Sequence, residues 1–158
     1  MAVDQFLKID GVPGESKDSK HKDEIDVLSW SWGASQMGTF GAMGGGGAGK
    51  VNIQDFSFSM PQSKATPKLL QMCATGEHIK KAVLTVRKAG KEQQEYLKYS
   101  FYDLLVSSVQ SGGHNEVTPD SISLNFAKIE IDYKEQKEDG TLGSSTMFKY
   151  DQKQNKAY

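Results

Sequence analysis

Between Ile25 and Met60 the chain carries two segments of strict two-residue alternation, joined by a glycine-rich loop. In the first, Leu28, Trp30 and Trp32 alternate with Ser29, Ser31 and Gly33. In the second, Phe56, Phe58 and Met60 alternate with Ser57 and Ser59. This period predicts strands with one apolar and one polar face. The polar faces are built from short serines, not from the long Lys and Glu side chains usual on a solvated sheet. A smooth, weakly polar strand face suits a surface that something slides along or rests against, which points to assembly and passage more than to chemistry.

The remaining pattern predicts a short strand over 3–9, broken by Gly11, Pro13 and Gly14, and then a charged, exposed loop through Glu24. One helix follows. Thr66 is placed to N-cap it and Pro67 at its first position, Leu69, Leu70, Met72 and Cys73 supply its apolar stripe, and Gly76 ends it. Further strands are predicted over 81–88, 95–109, 121–133 and 146–151, with a hairpin turn at Ala89 to Glu92 between the first two. Ser111, Gly112, Gly113 and Pro119 punctuate the next connection.

Three segments change face midway. Ile25 and Val27 give way to Leu28, Trp30 and Trp32; Val51 and Ile53 to Phe56 and Phe58; Ile122, Leu124 and Phe126 to Ile129, Ile131 and Tyr133. Such a flip requires a β-bulge or a strand buried on different faces in different stretches. The expected fold is mainly β: two antiparallel sheets in a barrel-like arrangement with one flanking α-helix, as a single domain over 1–158.

At 158 residues, one domain buries about 70% of its unfolded surface. A net charge of −1 gives no field to attract nucleic acid or a membrane surface, and Arg87 is the only arginine, so bidentate phosphate or base readout is poorly served. Cys73 is alone and forms no disulfide within one chain. The N-terminus carries charge within four residues and lacks an apolar core, so it is not a Sec-type signal peptide. No run approaches the roughly 18 apolar residues of a membrane span. Synthesis and folding in the cytoplasm are expected, without membrane insertion.

Candidate chemistry is sparse. Gly44, Gly45, Gly46, Gly47, Ala48, Gly49 and Lys50 match a phosphate-loop spacing, but Val51 stands where the Mg²⁺-binding hydroxyl is needed, and a strand pattern follows instead of a helix. A glycine loop that orders against a neighbouring subunit fits better. Cys73 lies on the helix stripe as a small hydrophobe. His21, His78 and His114 show no ligand spacing, no G-x-S-x-G elbow occurs, and no carboxylate pair stands out. No catalytic residue, cofactor or metal is expected. Trp30 and Trp32 leave one alternative, a stand-alone β-barrel that stacks a small ligand on them.

Several blocks resemble the haemolysin-coregulated protein family, the tube subunits of type VI secretion systems. They are the opening Phe6 to Gly11, Gly14 to Asp18, Glu24 to Gly33, the glycine loop with Val51 to Phe56, Thr66 to Leu70, Leu84 to Gly90, Leu104 to Val109, Leu124 to Ala127 and Ile131 to Tyr133. The resemblance implies a homohexameric ring with a wide pore, rings stacked into a tube, and propulsion with a spike protein by a contractile sheath. It further implies secreted effector proteins carried in the pore, export without a signal peptide, and no enzymatic activity. On that basis Ser29 and Ser31 are expected to line the pore. Ring-stacking or subunit contacts are expected in the loops Glu15 to Asp23 and Gly38 to Gly49, at Glu15, Lys17, Asp18, Gly44, Gly45, Gly46, Gly47 and Lys50. The short polar tail after Tyr150 leaves no room for a fused effector domain.

Overall fold

The computed structural model describes residues 3–38, 48–88 and 92–158. In chain order the elements are β1 (Val3–Ile9), β2 (Ile25–Asp26), β3 (Ser29–Ser31), β4 (Ala34–Gly38), β5 (Ala48–Ile53) and β6 (Phe56–Met60). Then follow α1 (Ala65–Thr75), β7 (Ile79–Lys88), β8 (Glu95–Gln110), β9 (Asp120–Gln136), β10 (Leu142–Asp151) and β11 (Lys156–Ala157). The fold is mainly β with one flanking helix among the described residues, as the alternation predicts. Nine strands share one antiparallel sheet, and β4 pairs with β5 in a separate two-stranded ribbon. The turn predicted at 89–92 lies largely outside the described residues, but β7 and β8 on either side pair antiparallel as that turn requires.

The sheet folds over on itself because β9 has different partners along its length. Its first part, Asp120 to Leu124, pairs with β6, and its second, Lys128 to Gln136, pairs with β10, while β8 lies along it from Ser121 to Tyr133. One core lies between the two layers, with Leu7, Leu84, Phe101 and Ile129 from one and Phe56, Met60, Ile122 and Leu124 from the other, all fully buried.

Each predicted face change has its own cause. In β9 the inward residues shift from Leu124 and Phe126 to Ala127 and Ile129, and in β8 from Phe101 to Leu104 and Val106. Both shifts fall where the ladder is interrupted between Tyr102↔Lys128 and Leu104↔Phe126, with Asp103 in the left-handed region at φ 52°. Gln152 takes up the displaced carbonyls: its backbone N–H donates to Ala127 O at 2.8 Å and its side-chain amide to Phe126 O at 2.7 Å. The second change separates two strands, β5 in the ribbon and β6 in the main sheet, and is not a bulge.

At the first change the chain switches partner: Val27 N–H donates to Gln5 O on β1, and Leu28 N–H to Ser59 O on β6. Ile25 and Val27 are buried and Trp30 and Trp32 half-buried, but Leu28, expected on the tryptophan face, is 55% exposed at the crossing. This segment brings β6 back toward β1, which makes the body barrel-like without a continuous closing ladder.

The helix begins earlier than expected. Its N-cap is Lys64 and not Thr66, so Pro67 stands third in the first turn, where its missing N–H still costs nothing. Ser63 Oγ accepts the Ala65 N–H at 3.1 Å, and the carboxylate of Glu15 accepts the Lys64 N–H at 2.8 Å. Ala65, Leu69 and Met72 are buried, Cys73 packs partly against the core, and Leu70 points outward. Gly76 ends the helix at φ 67°, its N–H returning to Met72 O.

The loop from Gly11 to Glu24 is charged but only half exposed, contrary to the sequence reading. Ser16 and His21 are buried, and Gly14 packs so close to the returning chain that a Cβ there would lie 2.3 Å from Glu24 O. Three contacts fasten the loop to the outer face of β1, β7 and β8. Arg87, 2% exposed, pairs with Asp18 and with Asp4, the latter at 3.3 Å. The same guanidinium lies 4.8 Å from the Phe6 ring centroid, and His21 stacks on that ring at 4.6 Å. The ring nitrogens of His21 reach Glu24 at 2.9 Å and Glu95 at 2.8 Å. The Arg87 hydrogen bonds hold the Asp18 carboxyl down at about 2. Burial, with Asp18 and Asp4 nearby, pushes Asp26 up.

Candidate functional site

Strands β3, β6, β9 and β8 lie side by side, and their register aligns small hydroxyls in two rows. One row runs Ser31, Ser57, Ser123, Ser108; the other runs Ser29, Ser59, Ser121, Gln110. The alternation seen in sequence causes this. Phe56, Phe58 and Met60 on β6, with Ile122 and Leu124 on β9, go into the core, which leaves the serines between them on the opposite face. Adjacent strands stand about 4.8 Å apart, so four of them carry a hydroxyl floor roughly 14 Å wide.

The floor forms a shallow depression of about 310 Å³ whose lining includes Ser29, Ser31, Ser57, Ser59, Ser121 and Ser123, with no ionisable side chain among its lining residues. That is unusual in a chain with 25% charged residues. The hydroxyls bond one another: Ser29 and Ser59 at 2.6 Å, Ser107 and Ser123 at 3.0 Å, and Ser108 with Ser123. At the margin, Asp55 accepts from Ser107 at 2.7 Å and from Asn125 at 2.8 Å. The floor thus offers a visitor small hydroxyls, some of them already paired, and no fixed charge.

Ser29 and Ser31, expected on a polar strand face from sequence, both lie on this floor. Ser107, Ser108, Ser121, Ser123 and Gln110 were not singled out, because only the register between strands distant in sequence brings them alongside. The residues expected to make contacts between subunits divide into three groups. Lys17 and Lys50 are exposed. Glu15 is engaged at the N-terminus of α1 and Asp18 with Arg87. Gly44, Gly45, Gly46 and Gly47 lie outside the described residues.

The tryptophans do not form an open platform. Trp30 packs against Phe56 and Tyr99 at centroid distances of 6.1 and 5.0 Å, and its indole N–H donates to Gln5 Oε1 at 2.8 Å. Trp32 meets Tyr99 and Phe148, and its N–H donates to Gln54 O at 2.9 Å. Both join the margin of the core, which argues against a stacked small ligand. Among the described residues no group of three His, Cys, Asp or Glu could hold a metal ion, and no helix is long and apolar enough to cross a membrane.

Residues 6–133 match the family described as "Type VI secretion system effector, Hcp". Protein hcp1 of Pseudomonas aeruginosa is 50% identical over 144 residues, which cover 89% of this chain and 88% of that protein. Among solved structures, Hcp1 of Salmonella typhimurium superposes with a TM-score of 0.84 at 40% identity, covering 100% of both chains. A type VI secretion system effector of Yersinia pestis superposes with a TM-score of 0.77 at 36% identity, covering 94% of this chain and 99% of that one.

Proposed function

The chain belongs to the Hcp family of type VI secretion proteins, and on that premise we propose that it is a structural subunit of the secretion tube, not an enzyme. Six copies form a ring around a pore, and rings stack into a tube that leaves the cell without a signal peptide, driven with a spike protein by a contractile sheath. Effector proteins ride in the pore. The observation that carries this reading is the hydroxyl floor, four strands wide and free of ionisable side chains among its lining residues. Such a wall holds a hydrated cargo weakly and releases it, and Ser29 and Ser31 belong to it.

Ring closure needs two different surfaces on each subunit, because six identical heterologous contacts must return to their start. Exposed Phe148 on β10, with Tyr133 diagonally across from it on the same face of β9, supplies apolar area for one of these surfaces. The loop from Glu15 to Asp23, the ribbon at Lys50 and the glycines Gly44 to Gly47 are assigned to contacts between rings or subunits. Within the loop, Lys17 is free to make such a contact, whereas Asp18 acts by holding the loop in place.

Light scattering with electron microscopy of the purified protein tests the proposal. Rings of six with an open centre are expected. A monodisperse monomer at micromolar concentration would overturn the assembly, and specific turnover or nucleotide binding by the intact protein would overturn the structural role.

A further inference from the structure

The geometry points to a proton-operated latch at His21, which fastens the Gly11 to Glu24 loop to strand β8. The ring offers Nδ1 to Glu24 at 2.9 Å and Nε2 to Glu95 at 2.8 Å. An ionised carboxylate only accepts hydrogen bonds, and a neutral imidazole carries one N–H. Both contacts are therefore satisfied together only when both ring nitrogens carry hydrogen. With one proton removed, a nitrogen lone pair faces a carboxylate oxygen at hydrogen-bond distance, and one of the two contacts becomes repulsive.

The ring lies against an aromatic face and between two carboxylates. Phe6 stacks on it with an interplanar angle of 9°, and an aromatic face attracts a cation. Besides the loop's own Asp18 and Glu24, three strands bring carboxylates near the latch, Asp4 on β1, Asp26 on β2 and Glu95 on β8, while β7 supplies Arg87 as the counter-cation. Lys98, three residues further along β8, reaches the second oxygen of Glu95 at 3.7 Å. Arg87 and Lys98 are the cations that face these five carboxylates.

The latch has a defined span. Glu24 lies in the loop itself, whereas Glu95 lies 74 residues away on β8, so the Nε2 contact ties loop to sheet. Arg87 and Asp18 form a second fastening, which stays ionised far into acid. Deprotonation of His21 thus loosens the end of the loop nearest β2 while the Asp18 end stays held. Mild acid closes the latch and alkaline conditions open it. If, as proposed above, this loop meets a neighbouring ring, the latch sets how rigidly Lys17 is presented there. The latch itself does not depend on that reading.

Hydrogen exchange of the loop amides in the whole protein, corrected for intrinsic exchange, tests the latch. Wild-type amides of Asp23 and Glu24, at the end nearest β2, should be about tenfold better protected near pH 6 than near pH 8.5, the size of one charge-assisted hydrogen bond. In Glu95→Gln the side-chain amide can donate to a neutral Nε2, so the loop should stay docked and its protection should stop varying with pH. His21→Gln should show low protection at both values. Equal wild-type protection at the two pH values would overturn the latch, as would an undiminished pH dependence in Glu95→Gln.

Discussion

Arg87 ends on the carboxylate of Asp18, 69 residues away in sequence, with one guanidinium N–H donating at 3.0 Å. The pair turns an otherwise polar loop into part of the folded body. It also sets how the protein meets acid. Asp18 is held at about 2, below its ordinary 3.8. Its contribution to stability is therefore complete above 3.8 and is lost as pH falls through 2. Asp26, pushed up by burial and its acidic neighbours, works in the opposite sense, because its protonation in mild acid relieves repulsion. Asp18→Asn should be less stable than wild type at neutral pH and should show a flatter stability curve through that acid range. Urea unfolding at stepped pH checks both; parallel curves would show that the pair adds nothing.

Gly14→Ala should be among the most damaging small substitutions in the chain. The added methyl would sit 2.3 Å from Glu24 O and 2.7 Å from Ile25 Cα, both backbone atoms that cannot swing aside. A loss of about 2–3 kcal/mol is expected. Gly113→Ala, with nothing within 4 Å of the new atom, should stay within about 0.5 kcal/mol of wild type. Thermal melts of the two variants side by side make the comparison.

Thr66→Val should destabilise by about 1–3 kcal/mol. The hydroxyl donates to Asp120 Oδ2 at 2.6 Å, and Asp120 is fully buried with its other oxygen unpaired among protein atoms. Valine keeps the shape and removes the donor. Chemical denaturation should show the loss, and Asp120→Asn combined with Thr66→Val should cost less than the sum of the two single changes.

Ser31→Gln should leave stability within about 0.5 kcal/mol of wild type, because the position is exposed and outside the core. It should nevertheless change the retention of effectors by the proposed ring, since six longer side chains would narrow one belt of the channel. Co-purification of effectors with wild-type and variant rings of equal size is the measurement. Unchanged retention of every effector would remove Ser31 from the pore wall, and loss of the ring would place it in an interface.

Much of this surface was readable from residue order alone. Ser57 and Ser59 announce a small polar face because Phe56, Phe58 and Met60 claim the core, and the same logic locates Ser29 and Ser31. Ser108, Ser121 and Ser123 carry no such announcement, since their place beside Ser57 depends on the register of β6 on β9 and of β9 on β8. The loop before β2 reads as exposed in the sequence because Arg87 and Glu95, which hold it, lie more than 60 residues further on. Ala34 to Gly38 was missed as a strand because it is exposed along its whole length and shows no apolar alternation. Leu28 fell on the wrong side because the chain changes partner between Val27 and Leu28, an event that leaves no mark in a periodic pattern.

The coordinated bend of β8 and β9 at Asp103 and Ala127 has a mechanical consequence. These two longest strands run from one layer into the other, so along β8 and β9 the layers are joined by continuous backbone. A thrust along either layer passes into the other as shear on the shared β8–β9 ladder, where many hydrogen bonds bear it at once. The layers should melt in one transition, and single-molecule pulling should record one force peak in place of two.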